Sequence, residues 1–186
     1  MSPVGAFAGP GSPGRIAGTV LAGMVIEAAM AWRFGWSPPL PTYSYLALTG
    51  AVVSATDLAA RRVPNLIVLP AYPITAALLV VACLPLGPWW PLARAGIAAA
   101  VLGGFYLALG LAFPAGMGLG DVKWAGVLGG YLGWLGWSAM VDGTLIAFIA
   151  AAGALVAARP AGRRRASLPM APFMVLGAVV AVLATK

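Results

Sequence analysis

Seven long apolar segments divide this sequence, and they constrain the fold more than any other feature. Only 8% of the residues are charged and 62% are hydrophobic, whereas soluble domains average about 25% charged residues. A water-soluble fold of this size could not bury so much apolar surface, and a membrane-crossing helix needs about 20 such residues. The pattern therefore predicts an all-α fold, a polytopic transmembrane helical bundle. The segments cover residues 16–34, 43–58, 66–86, 93–113, 121–138, 143–158 and 170–185.

The breaks between segments have physical causes. Residues 36–41 contain three prolines, which lack a backbone N–H and clash with the preceding helical turn, so this stretch is predicted to be non-helical. Val63 precedes Pro64 and is pushed away from helical angles. The segments 43–58 and 143–158 are short for a membrane span, and they either extend into their flanks or lie in thinned lipid. Small residues four apart, at Gly126/Gly130 and Gly129/Gly133, favour close helix packing.

The basic residues lie between the apolar segments, as membrane topology requires. With a cytoplasmic N-terminus, eight basic residues fall on the cytoplasmic side and three on the other, and the cluster at 163–165 is inside. The net charge of +7 would suit nucleic acid in a soluble protein, but this distribution predicts no nucleic-acid partner. The expected orientation is therefore multi-pass with the N-terminus in the cytoplasm.

The residue inventory leaves few chemistries open. Cys83 is the single cysteine and the chain has no histidine. An internal disulfide, a cysteine- or histidine-based zinc site and a histidine-dependent triad are therefore excluded. We expect no metal and no cofactor.

The N-terminal part of the chain is the least constrained. Residues 1–14 are rich in proline, glycine and serine and are predicted to be flexible. The first apolar segment, within 15–42, is either an extra transmembrane helix with its loop or a cleaved signal peptide. The start of this segment carries a single basic residue, Arg15, and an acidic residue, Glu27, lies within the apolar run. Both features favour a retained helix over a signal peptide. The role of Glu27 stays open.

Two aspartates are the candidate reactive groups. A carboxylate near the bilayer centre costs about 2.5–3.5 kcal/mol on insertion scales, so each acid needs a reason. Asp57 lies at the end of the second segment and Asp121 at the start of the fifth, which places both at the same membrane face. Asp142 is expected in a solvated loop on the opposite face. Two carboxyl groups at one depth can share a water, one as general base and one as proton donor.

A structural alternative exists for each aspartate. Asp121 could cap the helix that it opens, since a carboxylate there accepts backbone N–H bonds. Asp57 could form a helix-surface ion pair with Arg61, four residues on. Composition and topology alone leave both interpretations open.

The flanking residues add a family resemblance. Residues 116–123, Gly-Met-Gly-Leu-Gly-Asp-Val-Lys, resemble the GxGD signature of the type IV prepilin peptidases. Residues 57–65 resemble the first aspartate motif of that family, in which a basic pair and Pro-Asn follow the acid. Residues 168–173, Leu-Pro-Met-Ala-Pro-Phe, are similar to the proline-rich entry to the last helix of the family.

The resemblance implies a six-helix prepilin-peptidase-like domain at 43–186, preceded by the extra helix. It makes Asp57 and Asp121 the catalytic pair of an aspartic endopeptidase. Gly118 and Gly120 become a flexible loop where the backbone can approach the substrate. Lys123 is interpreted mainly as a helix-end anchor. The motif-supporting residues are Pro64, Asn65, Gly118, Gly120 and Lys123.

The resemblance also implies a substrate. Such enzymes remove the basic leader peptide from prepilins or pseudopilins at the cytoplasmic face of the bacterial inner membrane, in type IV pilus assembly or protein secretion. They cleave after a glycine, before an apolar segment. Paired CxxC motifs are absent, so no methyltransferase activity is expected. The expected partners are the precursor substrate and the lipid bilayer, and the oligomeric state stays open. The alternatives are a small polytopic transporter or a noncatalytic membrane scaffold.

Overall fold

The computed structural model describes residues 13–113, 117–157 and 168–185, and within them every regular element is an α-helix. Each predicted apolar segment corresponds to one helix, so the all-α prediction is confirmed. The helices are α1 (Pro13–Phe34), α2 (Leu40–Ala60), α3 (Asn65–Cys83), α4 (Trp90–Ala112), α5 (Leu119–Leu135), α6 (Trp137–Ala157) and α7 (Ala171–Ala184).

Four helices, α1, α3, α4 and α6, are long and apolar enough to cross a membrane. Large apolar side chains on them face outward, such as Leu21, Val81 and Ile149, each more than half exposed. Exposed apolar surface of this extent, on several helices of this length, is typical of a protein surrounded by lipid. The chain is therefore a multi-pass membrane protein.

Two helix starts differ from the prediction. Helix α2 begins at Leu40, inside the stretch predicted to be non-helical, because Pro41 falls in the first turn, where its missing N–H is not needed. Helix α6 begins directly after Gly136, so Asp142 lies within it, exposed, and its predicted place in a loop is wrong. Both short segments thus extend into their flanks and reach 21 residues.

Helix α5 is the centre of the bundle, and every residue from Trp124 to Gly133 is buried. Its small residues allow α4 to approach closely: a Cβ on Gly129 would lie 2.6 Å from the carbonyl oxygen of Ala98. The predicted close packing is confirmed at Gly129. It is wrong at Gly130, where a Cβ would meet nothing within 4 Å.

Arg94, near the start of α4, fixes the end of α5. Its Nε donates to the carbonyl oxygen of Gly133 at 2.6 Å. One terminal nitrogen donates to the carbonyls of Trp134 and Leu135 at 2.6 and 3.0 Å. The last carbonyls of a helix have no partner within the helix, so one side chain satisfies three of them.

Helix α1 packs against α2 and α7, and polar contacts of Glu27 and Arg33 hold it there. The hydroxyl of Ser44 donates to the carboxylate of Glu27 at 2.7 Å, which gives this acid a structural role. At the end of α1, the guanidinium of Arg33 donates to the carbonyl of Thr185 beyond α7. Arg33 and Arg94 therefore both lie at the end of the bundle where α5 and α7 finish.

Candidate active site

The opposite end of the bundle gathers the end of α2 and the starts of α3, α5 and α7. A hydrogen bond joins α2 to α7 there, and another joins α3 to α5. Both aspartates singled out by the sequence lie at this end, in the terminal turns of α2 and α5. We call it the aspartate end.

Asp57 is buried in the last turn of α2, with 5% of its surface exposed. Its Oδ2 accepts a hydrogen bond of 3.0 Å from the backbone N–H of Ala171, the first residue of α7. Arg61 ends the helix in a left-handed conformation, φ 50°, and donates its backbone N–H to the carbonyl of Asp57. Pro64 then starts the next helix as its N-cap residue, in extended conformation.

Asp121 lies in the first turn of α5. Its Oδ2 accepts the backbone N–H of Gly118 at 3.2 Å, so the carboxylate does cap the helix. Its Oδ1 is buried and has no hydrogen-bond partner among the residues that the structure describes. A buried carboxylate oxygen ordinarily has a partner. Capping therefore uses one oxygen of Asp121, and the other is not committed to the helix.

The two carboxyl groups interact electrostatically. Both aspartates lie outside the four candidate membrane spans. Burial, and secondarily the negative charge of Asp57, raise the pKa of Asp121 to about 6. Burial also raises the pKa of Asp57, against the lowering effects of the N–H groups of Ala171 and Met170 and the charge of Arg61. Such a pair holds one proton over part of the pH range, as acid–base hydrolysis requires.

Lys123 connects the two sequence motifs. Its ammonium group donates to the side-chain oxygen of Asn65 at 3.0 Å, which joins the first turn of α5 to the start of α3. The hydroxyl of Tyr72, on α3, donates to the backbone carbonyl of Lys123 at 2.7 Å. The structure thus places Asn65 and Lys123 in direct contact, beside the aspartates.

The motif glycines lie at the start of α5 and differ in their surroundings. Gly118 precedes the helix and Gly120 lies in its first turn, so the prediction of a loop is wrong for Gly120. A Cβ on Gly120 would lie 2.8 Å from the Cβ of Val63, closer than real side chains come. Glycine at 120 therefore makes room for the backbone that follows Asp57.

One contact and one electrostatic neighbour of the aspartates were not predicted from the sequence. The N–H of Ala171 comes from the proline-rich segment, which the resemblance marked only as a helix entry. The hydroxyl of Tyr106, on α4, interacts electrostatically with Asp121, and no sequence pattern singles this tyrosine out. The arginines at 163–165 lie outside the described residues. Within the described ranges, no three histidine, cysteine or acidic side chains form a group that could hold a metal.

The fold and the site together define the class of protein. It is a polytopic helical membrane protein with a pair of acidic side chains at one end of the bundle. The family model described as the type IV leader peptidase family matches residues 44–158, which include both aspartates. The chain belongs to this family, and the resemblance seen in the sequence is confirmed. Comparisons with curated proteins and with solved structures find no match.

Proposed function

We propose that this chain is a membrane-embedded aspartic endopeptidase that removes the basic leader from type IV prepilin-like or pseudopilin precursors at the cytoplasmic face. One observation carries the proposal: Asp57 and Asp121 are distant in sequence, but the end of α2 and the start of α5 meet at one end of the bundle, where Gly120 packs against Val63. Membership of the leader peptidase family supports the reaction class.

The chemistry follows from the state of the pair. The ionised carboxylate takes a proton from water while the oxygen of that water attacks the scissile carbonyl carbon. The protonated carboxyl group donates its proton to the carbonyl oxygen. No covalent intermediate or metal is needed for this step. The unpartnered Oδ1 of Asp121 suits a direct contact with the water or with the carbonyl.

The proposed substrate fits the placement of the pair. A prepilin-like precursor carries a short basic leader followed by an apolar helix. The apolar helix would lie in the lipid beside the bundle. The leader junction would then lie at the aspartate end, outside the four candidate spans. We accordingly propose that the aspartate end faces the cytoplasm of a bacterium and that the N-terminus lies on the same side.

The direct test is cleavage by the protein in liposomes. The substrate is a precursor with a basic leader, a glycine at the junction and an apolar helix after it. Asp57→Asn and Asp121→Asn keep the side-chain size but remove the carboxyl group, so each should lower the rate by about 10²–10⁴-fold or more. Asp142→Asn is the matched control, because Asp142 is exposed on α6.

Two results would overturn the proposal. Cleavage retained by either Asn variant would exclude a two-carboxylate mechanism. Failure of the wild-type protein to shorten any such precursor would favour a transporter or a scaffold.

A further inference from the structure

The two carboxyl groups have unequal surroundings. Asp57 faces the first backbone N–H groups of α7 and the charge of Arg61. Asp121 accepts one N–H, from Gly118, at a longer distance. The titratable groups that affect the ionisation of Asp121 are Asp57, from α2, and the phenol of Tyr106, from α4. Neither carries a positive charge, and the ammonium group of Lys123, also on α5, donates to the side chain of Asn65.

The start of α7 favours negative charge at Asp57. This helix is 14 residues long, and its first N–H groups have no partner within the helix. Together with the aligned peptide dipoles they form the positive end of the helix. The N–H of Ala171 meets the Oδ2 of Asp57 at 3.0 Å in a buried position. A hydrogen bond to a charged group in such a place is about twice as strong as one between neutral groups.

We propose that the N–H of Ala171 is a positioning group that holds Asp57 as the ionised member of the pair, so that Asp57 is the general base and Asp121 the proton donor. This inference rests on the proposed function for its catalytic meaning. The difference in ionisation between the two carboxyl groups is a property of the structure and can be measured without a substrate.

The assignment fixes the path of each proton. The carboxylate of Asp57 takes one proton from water, and the new O–H group bonds to the scissile carbon. Asp121 gives its proton to the carbonyl oxygen, which yields a neutral tetrahedral diol. Asp57 then passes its proton to the leaving nitrogen as the C–N bond breaks. One hydroxyl of the diol returns a proton to Asp121, and the pair regains its starting state.

NMR of the side-chain carboxyl groups can follow the ionisation of each aspartate separately, because the chain has only four acidic residues. The protein carries ¹³C-labelled aspartate carboxyl groups in an Asp142→Asn background, so only Asp57 and Asp121 give signals. Single Asn variants assign the two signals. The expected result is that Asp57 ionises at the lower pH. Ionisation of Asp121 before Asp57 in this otherwise unaltered protein would overturn the proposal.

Removal of the N–H of Ala171 tests whether this hydrogen bond causes the difference in ionisation between the two aspartates. Lactic acid in place of Ala171 replaces the peptide bond by an ester, which removes this N–H and also weakens the carbonyl of Met170 as an acceptor within the helix. The pH at which Asp57 ionises should then rise by about one unit, as expected for a charge-assisted hydrogen bond. The same substitution at Ala178, buried in the same helix, is the matched control and should leave the Asp57 titration unchanged. An unchanged titration in the Ala171 ester would refute the role of α7.

Activity separates this inference from the proposed function. If the protein cleaves the precursor, the ester at Ala171 should move the acid limb of the pH profile of kcat/KM upward by the same amount. A KM change with an unmoved acid limb would show a structural role only and would count against the proposal. If no precursor is cleaved, the proposed function fails, and the NMR titrations still decide which aspartate is ionised.

Discussion

At the scale of single residues, Gly120 gives a direct test of how the two motifs meet. Gly120→Ala would place a Cβ 2.8 Å from the Cβ of Val63, whereas a Cβ on Gly118 would meet its nearest atom at 3.5 Å, an ordinary contact. We expect Gly120→Ala to lower kcat/KM by about tenfold or more, because small displacements of catalytic groups are costly. Gly118→Ala should have a smaller effect, and both variants can be compared in the liposome assay.

Equal losses in the two glycine variants would contradict this explanation. They would indicate that backbone freedom matters at both positions, as the resemblance suggested. Val63→Gly in the Gly120→Ala background removes the Cβ that the new methyl group would meet at 2.8 Å and the γ-carbon that it would meet at 3.4 Å. Partial recovery of cleavage in that double variant would support the steric explanation.

The raised pKa of Asp121 predicts a pH dependence. With its pKa raised to about 6, Asp121 keeps its proton between pH 4 and 6, where an ordinary aspartate has lost it. Because Asp121 is the proposed proton donor, kcat/KM should fall as the pH rises through about 6, nearing tenfold per unit above that value. Asp57→Asn removes the negative charge that contributes to the shift, so the pKa of Asp121 measured by NMR should decrease. An unchanged pKa in that variant would show that the carboxyl groups do not interact.

The sequence revealed the acidic side chains of the site but not their surroundings. Asp57 and Asp121 stood out because an acid is costly in an apolar chain and because both lie in recognisable motifs. The N–H of Ala171 carries no side-chain signal, since every residue except proline has the same donor. Tyr106 resembles any other aromatic residue of an apolar helix. Their positions near the pair follow from helix packing, which a single sequence does not specify.

At the scale of helices, the sequence predicts which segments form helices, but it predicts less well where each helix begins and ends. Each apolar segment forms one helix in the part of the chain that the structure describes, because a helix satisfies its own backbone groups where no water is present. The starts of α2 and α6 were misplaced for different reasons. Pro41 ends a helix in the interior but is compatible with a first turn, and Asp142 is tolerated within α6 because it is exposed.

Arg94 predicts how a helix end contributes to stability. Arg94→Met keeps much of the apolar stem but leaves the carbonyls of Gly133, Trp134 and Leu135 without their donor. We expect the free energy of unfolding in detergent to fall by about 2–3 kcal/mol, the range for lost bonds to a charged group. Arg15→Met, at an exposed position on α1, is the control and should change it by less than about 0.5 kcal/mol. A loss in the Arg94 variant no greater than in the control would mean that the three bonds are not stabilising.

At the scale of the whole molecule, the arrangement of the helices defines two ends with different chemistry. One end carries the two aspartates, Asn65 and Lys123. The other carries Arg33 and Arg94, both of which are bonded to carbonyls at helix ends. Because these two arginines have a structural role, they are weaker evidence about membrane orientation than a simple count of basic residues implies. The proposed orientation therefore depends chiefly on the basic residues of the aspartate end and of segments outside the described ranges.

This orientation can be tested because the chain has one cysteine, Cys83, and it is buried. In a Cys83→Ala background, Ala60→Cys labels the aspartate end and Trp89→Cys labels the opposite end, since both positions are exposed. A membrane-impermeant maleimide added to intact spheroplasts should react with the cysteine at 89 and not with the one at 60. Inverted vesicles should give the reverse pattern, because the positive-inside bias predicts a cytoplasmic aspartate end. Labelling at 60 from outside would place both aspartates on the non-cytoplasmic side and would contradict the proposed orientation.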